Sequence, residues 1–242
     1  MDSETSALEP LPPGSLVFVD IDNTLIKGAS VYLFGIEAWR QGFMTWRDVA
    51  PALRDQRHFV RQGESAPRMA SARERALGLV AGHRLEDFQQ VARSAWENRM
   101  RPRVFPEMLE RIAWHHGQNH QIFLATASPV GVAEVMADGL GLDGVVGTEL
   151  ETVDGVFTGS LGGPLVHGPV KAEAVKAVVE KEGINPRHTA AYSDSIADAP
   201  LLQQVGQPTA VNPDQRLHQL AMESGWPVLW PKTTRRYRRV RQ

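Results

Sequence analysis

The stretch Leu16-Val17-Phe18-Val19-Asp20-Ile21-Asp22-Asn23-Thr24 sets four successive apolar residues directly before two aspartates one residue apart. A wholly apolar run this short is the pattern of a strand buried on both faces, the habit of parallel sheets. Sheets of that kind, flanked by helices, bind their ligands at the carboxyl ends of the strands. Asp20 and Asp22 stand at such an end. Nine residues thus point to an α/β fold and to the place of its site.

Downstream the period changes. From Ser30 to about Met100 it is helical, as in Val31, Phe34, Ala38 and Trp39, and again in Phe88, Val91, Ala92 and Trp96. Leu85-Glu86-Asp87 opens the latter helix with acids in its first turn. Thr45 followed by Asp48, and Ser65 before Pro67, read as further helix starts. No strand signal interrupts this segment.

Beyond Phe105-Pro106 strands and helices alternate. The pattern predicts a helix from Glu107 to His116, a strand from Gln121 to Thr126, and a helix after Pro129. A hairpin turning at Asp154-Gly155 follows, then a helix from Val170 to Glu182. Strands are expected from Thr189 to Tyr192, Pro208 to Val211 and Pro227 to Trp230, with helices around 197–205 and 216–224 between them. The whole reads as a doubly wound parallel sheet, residues 15–27 and 105–231, with an all-helical insert at 28–104. Residues 1–14 read as a disordered leader and 232–242 as a basic tail.

Composition narrows the chemistry. Of 242 residues none is cysteine, which excludes disulfides, thiolate zinc, iron–sulfur ligation and a cysteine nucleophile. The start, MDSETSALEP, lacks the basic-then-apolar order of a signal peptide, and no apolar run approaches the ~18 residues of a membrane helix. A cytoplasmic protein is the expectation. The net charge of −2 hides an asymmetry: the insert carries +5 and the tail +6, leaving −13 for the rest. An acidic body suits a cation site, and a basic insert suits an anionic ligand.

Three further segments bring chemistry to the same edge of the sheet. They are Thr126 and Ser128 after the second strand, Lys171 at a helix start, and Asp194 and Asp198 after the strand from Thr189. Neighbouring carboxylates repel unless a cation lies between them. A hard cation such as Mg2+, which takes one or two carboxylates plus substrate phosphate, answers that, with Asp20 and Asp194 as direct ligands. Lys171 adds positive charge toward the same anion, although a Lys at a helix start is unfavourable for the dipole and so asks for a functional reason. Thr126 offers a neutral donor. Together these are the parts of a phosphoryl-transfer site, with Asp20 able to act as nucleophile and Asp22 as acid and base. Ser128-Pro129 reads first as a helix N-cap with Pro at the opening position, and second as a substrate contact. His115, His116 and His120 show no ligand pattern and read as surface residues. No G-x-G-x-x-G or G-x-x-x-x-G-K-[ST] string is present, so dinucleotide and P-loop binding are not indicated.

Asp20-x-Asp22-x-Thr24, Thr126, Lys171 and Asp194…Asp198, in this order, resemble the four motifs of the haloacid-dehalogenase superfamily of phosphohydrolases. The helical insert resembles that family's type-one cap. Asp20-Ile-Asp-Asn-Thr-Leu-Ile, Gly168-Pro-Val-Lys171 and Tyr192-Ser-Asp-Ser-Ile-Ala-Asp198 look like the phosphoserine-phosphatase-like subfamily IB. The resemblance implies a Mg2+-dependent phosphatase of a small phosphorylated metabolite. It implies Asp20, Asp22, Thr126 and Lys171 as catalytic residues, and Asp20, Asp22 (through its carbonyl), Asp194 and Asp198 around the metal. Ser128 and Arg75, or its neighbour Arg73, would meet substrate. Two departures stand out. Ser193 occupies a position where the family usually has Gly. Ala29 stands nine residues after the nucleophile, where phosphoserine phosphatases carry a Glu that helps hold the substrate ammonium. Phosphoserine phosphatase and histidinol phosphatase proper are therefore the alternatives within the enzymes. No nucleic-acid partner is expected of the enzyme. A different class of function, an anionic lipid or nucleic-acid binding module, would rest on the tail Arg235-Arg236-Tyr237-Arg238-Arg239.

Overall fold

The computed structural model describes residues 10–45, 74 and 76–232. The helix starts expected near Thr45–Asp48 and Ser65, together with Arg73, Arg75 and the basic tail beyond Lys232, lie outside the described residues or at their edge.

Strand β1 (Leu16–Val19) is buried along its whole length. Its alternating side chains part to two cores: Val17 and Val19 enter one, Leu16 and Phe18 the other. A strand covered on both faces has to be apolar throughout, and this one is. It pairs in parallel with β2 (Gln121–Pro129) on one side and β6 (Thr189–Ser193) on the other. The parallel sheet runs β3-β2-β1-β6-β7-β8, with β3 at Gly144–Thr148, β7 at Gln207–Val211 and β8 at Val228–Leu229. Chain direction across the sheet reverses between β1 and β6, the kind of switch point at which such sheets bind their ligands. β3 was not expected from sequence. Gly144 and Gly147 thin its apolar pattern, and it lies at the sheet edge.

Between β1 and β2 come α1 (Ser30–Arg40), α2 (Leu85–Ala95), a π turn at Trp96–Met100 and a 3-10 turn at Arg101–Arg103. α1 buries Ser30, Leu33, Phe34, Glu37 and Ala38, while Val31 and Trp39 face outward. The sequence periodicity had placed those two on the inner face. The helix is rotated because its polar residues Ser30 and Glu37 find partners inside. α3 (Pro106–Gly117), α4 (Val130–Leu140), α5 (Pro169–Lys181), α6 (Ala199–Leu202) and α7 (Gln215–Ser224) cover the sheet. Trp96 lies directly on Gly139 of α4, leaving no room for a Cβ there. The hairpin of β4 (Leu150–Val153) and β5 (Val156–Leu161) turns at Asp154 and Gly155, both at positive φ, as its Asp-Gly pair predicts. Its strand β5 and turn accept and donate backbone hydrogen bonds with Gly82, His83 and Leu85, tying hairpin and insert together. Among the described residues no helix is long and apolar enough to cross a membrane.

Two expectations are corrected. Residues 10–14, read as part of a disordered leader, are held to the body at two points: Leu11 is buried, and the Gly14 amide donates to the Asn119 carbonyl at 2.8 Å. His115 and His120, read as surface residues, are buried, because they satisfy one another. His120 Nε2 lies 3.2 Å from the Leu11 carbonyl, which can only accept, so that nitrogen carries the proton. In one proton order that satisfies every ring nitrogen, His120 accepts at Nδ1 from His115 Nδ1–H at 2.9 Å, and His115 Nε2 accepts from the Tyr192 hydroxyl at 2.8 Å.

Burial holds the His115 pKa down to about 3, against 6.5 in an unfolded chain. Between those values the unfolded state binds the extra proton, so stability is lost as pH falls, by about 1.4 kcal/mol per pH unit for one proton. The advantage of the wild type over His115→Asn is therefore expected to shrink from pH 7 to pH 4.5 in thermal melts. Parallel curves would refute it.

Candidate active site

Asp20 follows β1 at once, and its amide donates to the Tyr192 carbonyl at 3.0 Å, extending the β1–β6 register by one residue. The chain then turns sharply. Asn23 adopts φ 56°, a conformation Asn tolerates, and its side chain accepts from the Gly28 amide at 3.1 Å. Gly28 itself stands at φ 100°, which a Cβ would oppose. This loop brings Ser30, the first residue of α1, back onto Asp22: the Ser30 amide and hydroxyl donate to Asp22 Oδ1 at 2.8 and 2.6 Å. The Asn212 side-chain amide braces the loop by donating to the Asn23 carbonyl at 2.8 Å.

Lys171 arrives from the opposite side. Gly168 at φ 57° turns the chain, Pro169 opens α5, and Lys171 stands in its first turn with 3% of its surface exposed. Its ammonium donates to Asp20 Oδ1 at 2.8 Å and Asp198 Oδ2 at 2.7 Å. Those two bonds are the functional reason that its unfavourable position demanded. Ser193 donates its hydroxyl to the same Asp198 oxygen at 2.7 Å. The residue standing where the family usually has Gly is thus a third point of attachment for the ion pair. Asp214 caps α7 through Oδ1 and accepts from the Ile196 amide through Oδ2, while its own amide donates to the Asp194 carbonyl. Sequence reading missed Ser30, Asn212 and Asp214. Asp214, a helix N-cap, was the one with a readable signal.

Thr126 and Ser128 are both buried at the end of β2. The Ser128 amide donates to Thr126 Oγ1 at 3.1 Å, leaving the threonine proton to donate elsewhere. Ser128 is no helix cap. β2 continues through Pro129, α4 begins at Val130 without a side-chain cap, and the Ser128 hydroxyl lies 2.7 Å from that of Ser30.

The electrostatics are those of crowded carboxylates. Burial first, then the charges of Asp198 and Asp22, push Asp20 up to about 7 against the pull of Lys171. Asp194 is pushed up to about 8 by burial and then by Asp20, Asp198 and Asp22. Burial also raises Asp22, opposed by its bonds from Ser30. The neighbouring carboxylates hold Lys171 above its ordinary value despite its burial. Asp198 Oδ1 is buried with no partner among the described residues. Among them, no three His, Asp or Glu side chains gather into a complete cage. Oxygen donors alone, mutual repulsion and few protein ligands fit Mg2+, which keeps waters and takes substrate oxygens.

The fold and this constellation define a class. The family model described as haloacid dehalogenase-like hydrolase matches residues 17–203. The chain belongs to that family and is a phosphatase. Phosphoserine phosphatase SerB1 of Mycobacterium tuberculosis is 36% identical over 220 residues, covering 90% of this chain and 71% of the relative. A solved structure from Bordetella pertussis Tohama I, described as a protein of unknown function, is 26% identical at a TM-score of 0.77, covering 90% of this chain and 98% of that one. A phospho-aspartyl intermediate analogue of phosphoserine phosphatase shares the fold at a TM-score of 0.65 and 18% identity, covering 91% and 95%.

In the metal-free chain Asp20 and Asp194 keep protons to about pH 7 and 8, whereas unfolded aspartate releases them near 3.8. The folded state binds more protons across that window, so these groups cost stability as pH rises through it. Metal-free Asp194→Asn is therefore expected to gain melting temperature relative to wild type between pH 5 and 8.5. A constant difference would count against the crowding.

Proposed function

We propose that this phosphatase is a Mg2+-dependent phosphomonoester hydrolase that works through an aspartyl-phosphate on Asp20. The observation that carries the reading is the buried Lys171 ammonium shared by Asp20 and Asp198, with Asp22 held two residues from Asp20. Asp20 and Asp194, with the Asp22 carbonyl, would hold the cation, and Asp198 supports the site by fixing Lys171. Mg2+ supplies neutralisation of phosphate charge and alignment of the phosphoryl group.

The residues divide the work. Asp20 attacks phosphorus, its bond to phosphorus forming as the ester P–O bond breaks. Asp22 gives its proton to the departing oxygen, then takes one from the water that hydrolyses the phospho-aspartate. Lys171 and the Thr126 hydroxyl meet the charge that grows on the phosphoryl oxygens. Ser128 and Arg75 are kept as substrate-facing candidates, and Arg75 lies outside the described residues.

The substrate in this reading is a small phosphorylated metabolite without a buried ammonium. Position 29 is Ala, and Glu37, the next carboxylate along the chain, is buried in a 2.6 Å ion pair with Arg99. A substrate ammonium enclosed there would lack a charged acceptor from α1, at several kcal/mol of desolvation. Phosphoserine is the second reading, favoured by the name of the mycobacterial relative.

Asp20→Asn is expected to keep the fold and lose turnover and the covalent intermediate. Retention of a tenth of wild-type activity would overturn the assignment of the nucleophile. Phosphoserine is expected to have a kcat/KM about ten-fold or more below that of the best amine-free phosphomonoester at equal Mg2+, the worth of one charge-assisted hydrogen bond. A clear win for phosphoserine would establish the second reading.

A further inference from the structure

We propose that Ser30 is the positioning residue for Asp22 and that it selects Asp22 Oδ2 as the oxygen that handles the proton. This rests on the reading of Asp22 as acid and base.

The geometry is specific. Helix α1 has no side-chain cap, because Ala29 at its N-cap position offers no acceptor. The Ser30 amide would be an orphan donor at that helix start. Asp22, eight residues upstream, supplies the missing acceptor through Oδ1 at 2.8 Å. The Ser30 hydroxyl donates to the same oxygen at 2.6 Å. A hydroxyl has one proton, and Ser30 uses its own to hydrogen-bond Asp22. In the 2.7 Å pair between Ser30 and Ser128, Ser128 is therefore the donor. The order runs from Ser128 to Ser30 to Asp22, and the Ser128 amide anchors the far end on Thr126 Oγ1 at 3.1 Å. Ser30 and Ser128 are both buried, so bulk water does not compete for these bonds.

Two donors converging on Oδ1 fix the carboxyl rotation and leave Oδ2 to carry the proton. In the first half-reaction the P–O electron pair passes to the leaving oxygen, which takes the Oδ2 proton. In the second, water oxygen bonds to phosphorus, the Asp20–phosphorus bond breaks, and a water proton returns to Oδ2. Ser30 touches neither substrate nor phosphorus in this scheme. It acts through Asp22, and its loss should hurt most where protonation of the leaving group matters most.

The test compares Ser30→Ala, Ser128→Ala and Asp22→Asn on an aryl phosphate and an alkyl phosphate, under saturating Mg2+, with melting temperatures alongside. Ser30→Ala keeps the helix amide and a good helix former, so the fold should persist. Its kcat on the alkyl phosphate is expected to fall about ten-fold, with the aryl phosphate and both KM values little changed. Ser128→Ala should give a smaller loss of kcat, again selective for the alkyl phosphate, with KM left out of this comparison because Ser128 is also a substrate-facing candidate. Ser30→Ala should add nothing in an Asp22→Asn background, since the two act as one unit. Equal losses on both substrates, no loss on either, or full additivity with Asp22→Asn would overturn the assignment of Ser30, while a selective Asp22→Asn effect left the acid/base reading standing. An Asp22→Asn variant without leaving-group selectivity would instead sink the acid/base reading, and the role of Ser30 with it.

Discussion

The Lys171 ammonium, enclosed between Asp20 and Asp198, is the constraint on which the site depends. A lone ammonium taken from water costs several kcal/mol, and a carboxylate no less. Each of the three becomes tolerable through the others, at 2.8 and 2.7 Å. Meeting those distances requires β1, the first turn of α5 and the turn after β6 to converge in one register. The β1–β6 pairing, the positive φ of Gly168 and the Ser193 hydroxyl on Asp198 are the means by which they do.

The pair also leaves an imbalance. One ammonium stands among Asp20, Asp22, Asp194 and Asp198, and the raised values of Asp20 and Asp194 express the negative charge left over. A divalent cation would be the economical partner for such a group, since it would replace the protons held by the carboxylate proposed as nucleophile. In the proposed function the acidic body of the chain suits the cation and the basic insert an anionic substrate.

Asp22 links this centre to the insert. It supplies the cap that Ala29 cannot give to α1, so the first helix of the insert begins on a site carboxylate. The same helix buries Glu37 against Arg99, which withdraws that carboxylate from any ligand held over the site. In the proposed reading position 29 and residue 37 bear on specificity through different physics, one by lacking a charge and the other by having it already paired.

The sequence alone carried the sheet, because a strand buried on both faces must be apolar throughout, and Leu16–Val19 has no other reading at that length. It carried Asp20, Asp22, Thr126, Lys171 and Asp194 to one edge, because strand ends and helix starts fix where such residues emerge. The Asp154-Gly155 turn was equally legible, since two positive φ angles demand such a pair. β3 was not, because its glycines and edge position leave little apolar signal. Nor was the burial of His115 and His120, which depends on Leu11 and Tyr192 coming to them from distant parts of the chain. Only the tertiary structure turned Ser128 from a helix cap into a donor for Ser30, and Ser193 from a departure into a bond on Asp198. Those roles are set by hydroxyl directions across 98 and 5 residues of sequence, which no local pattern encodes.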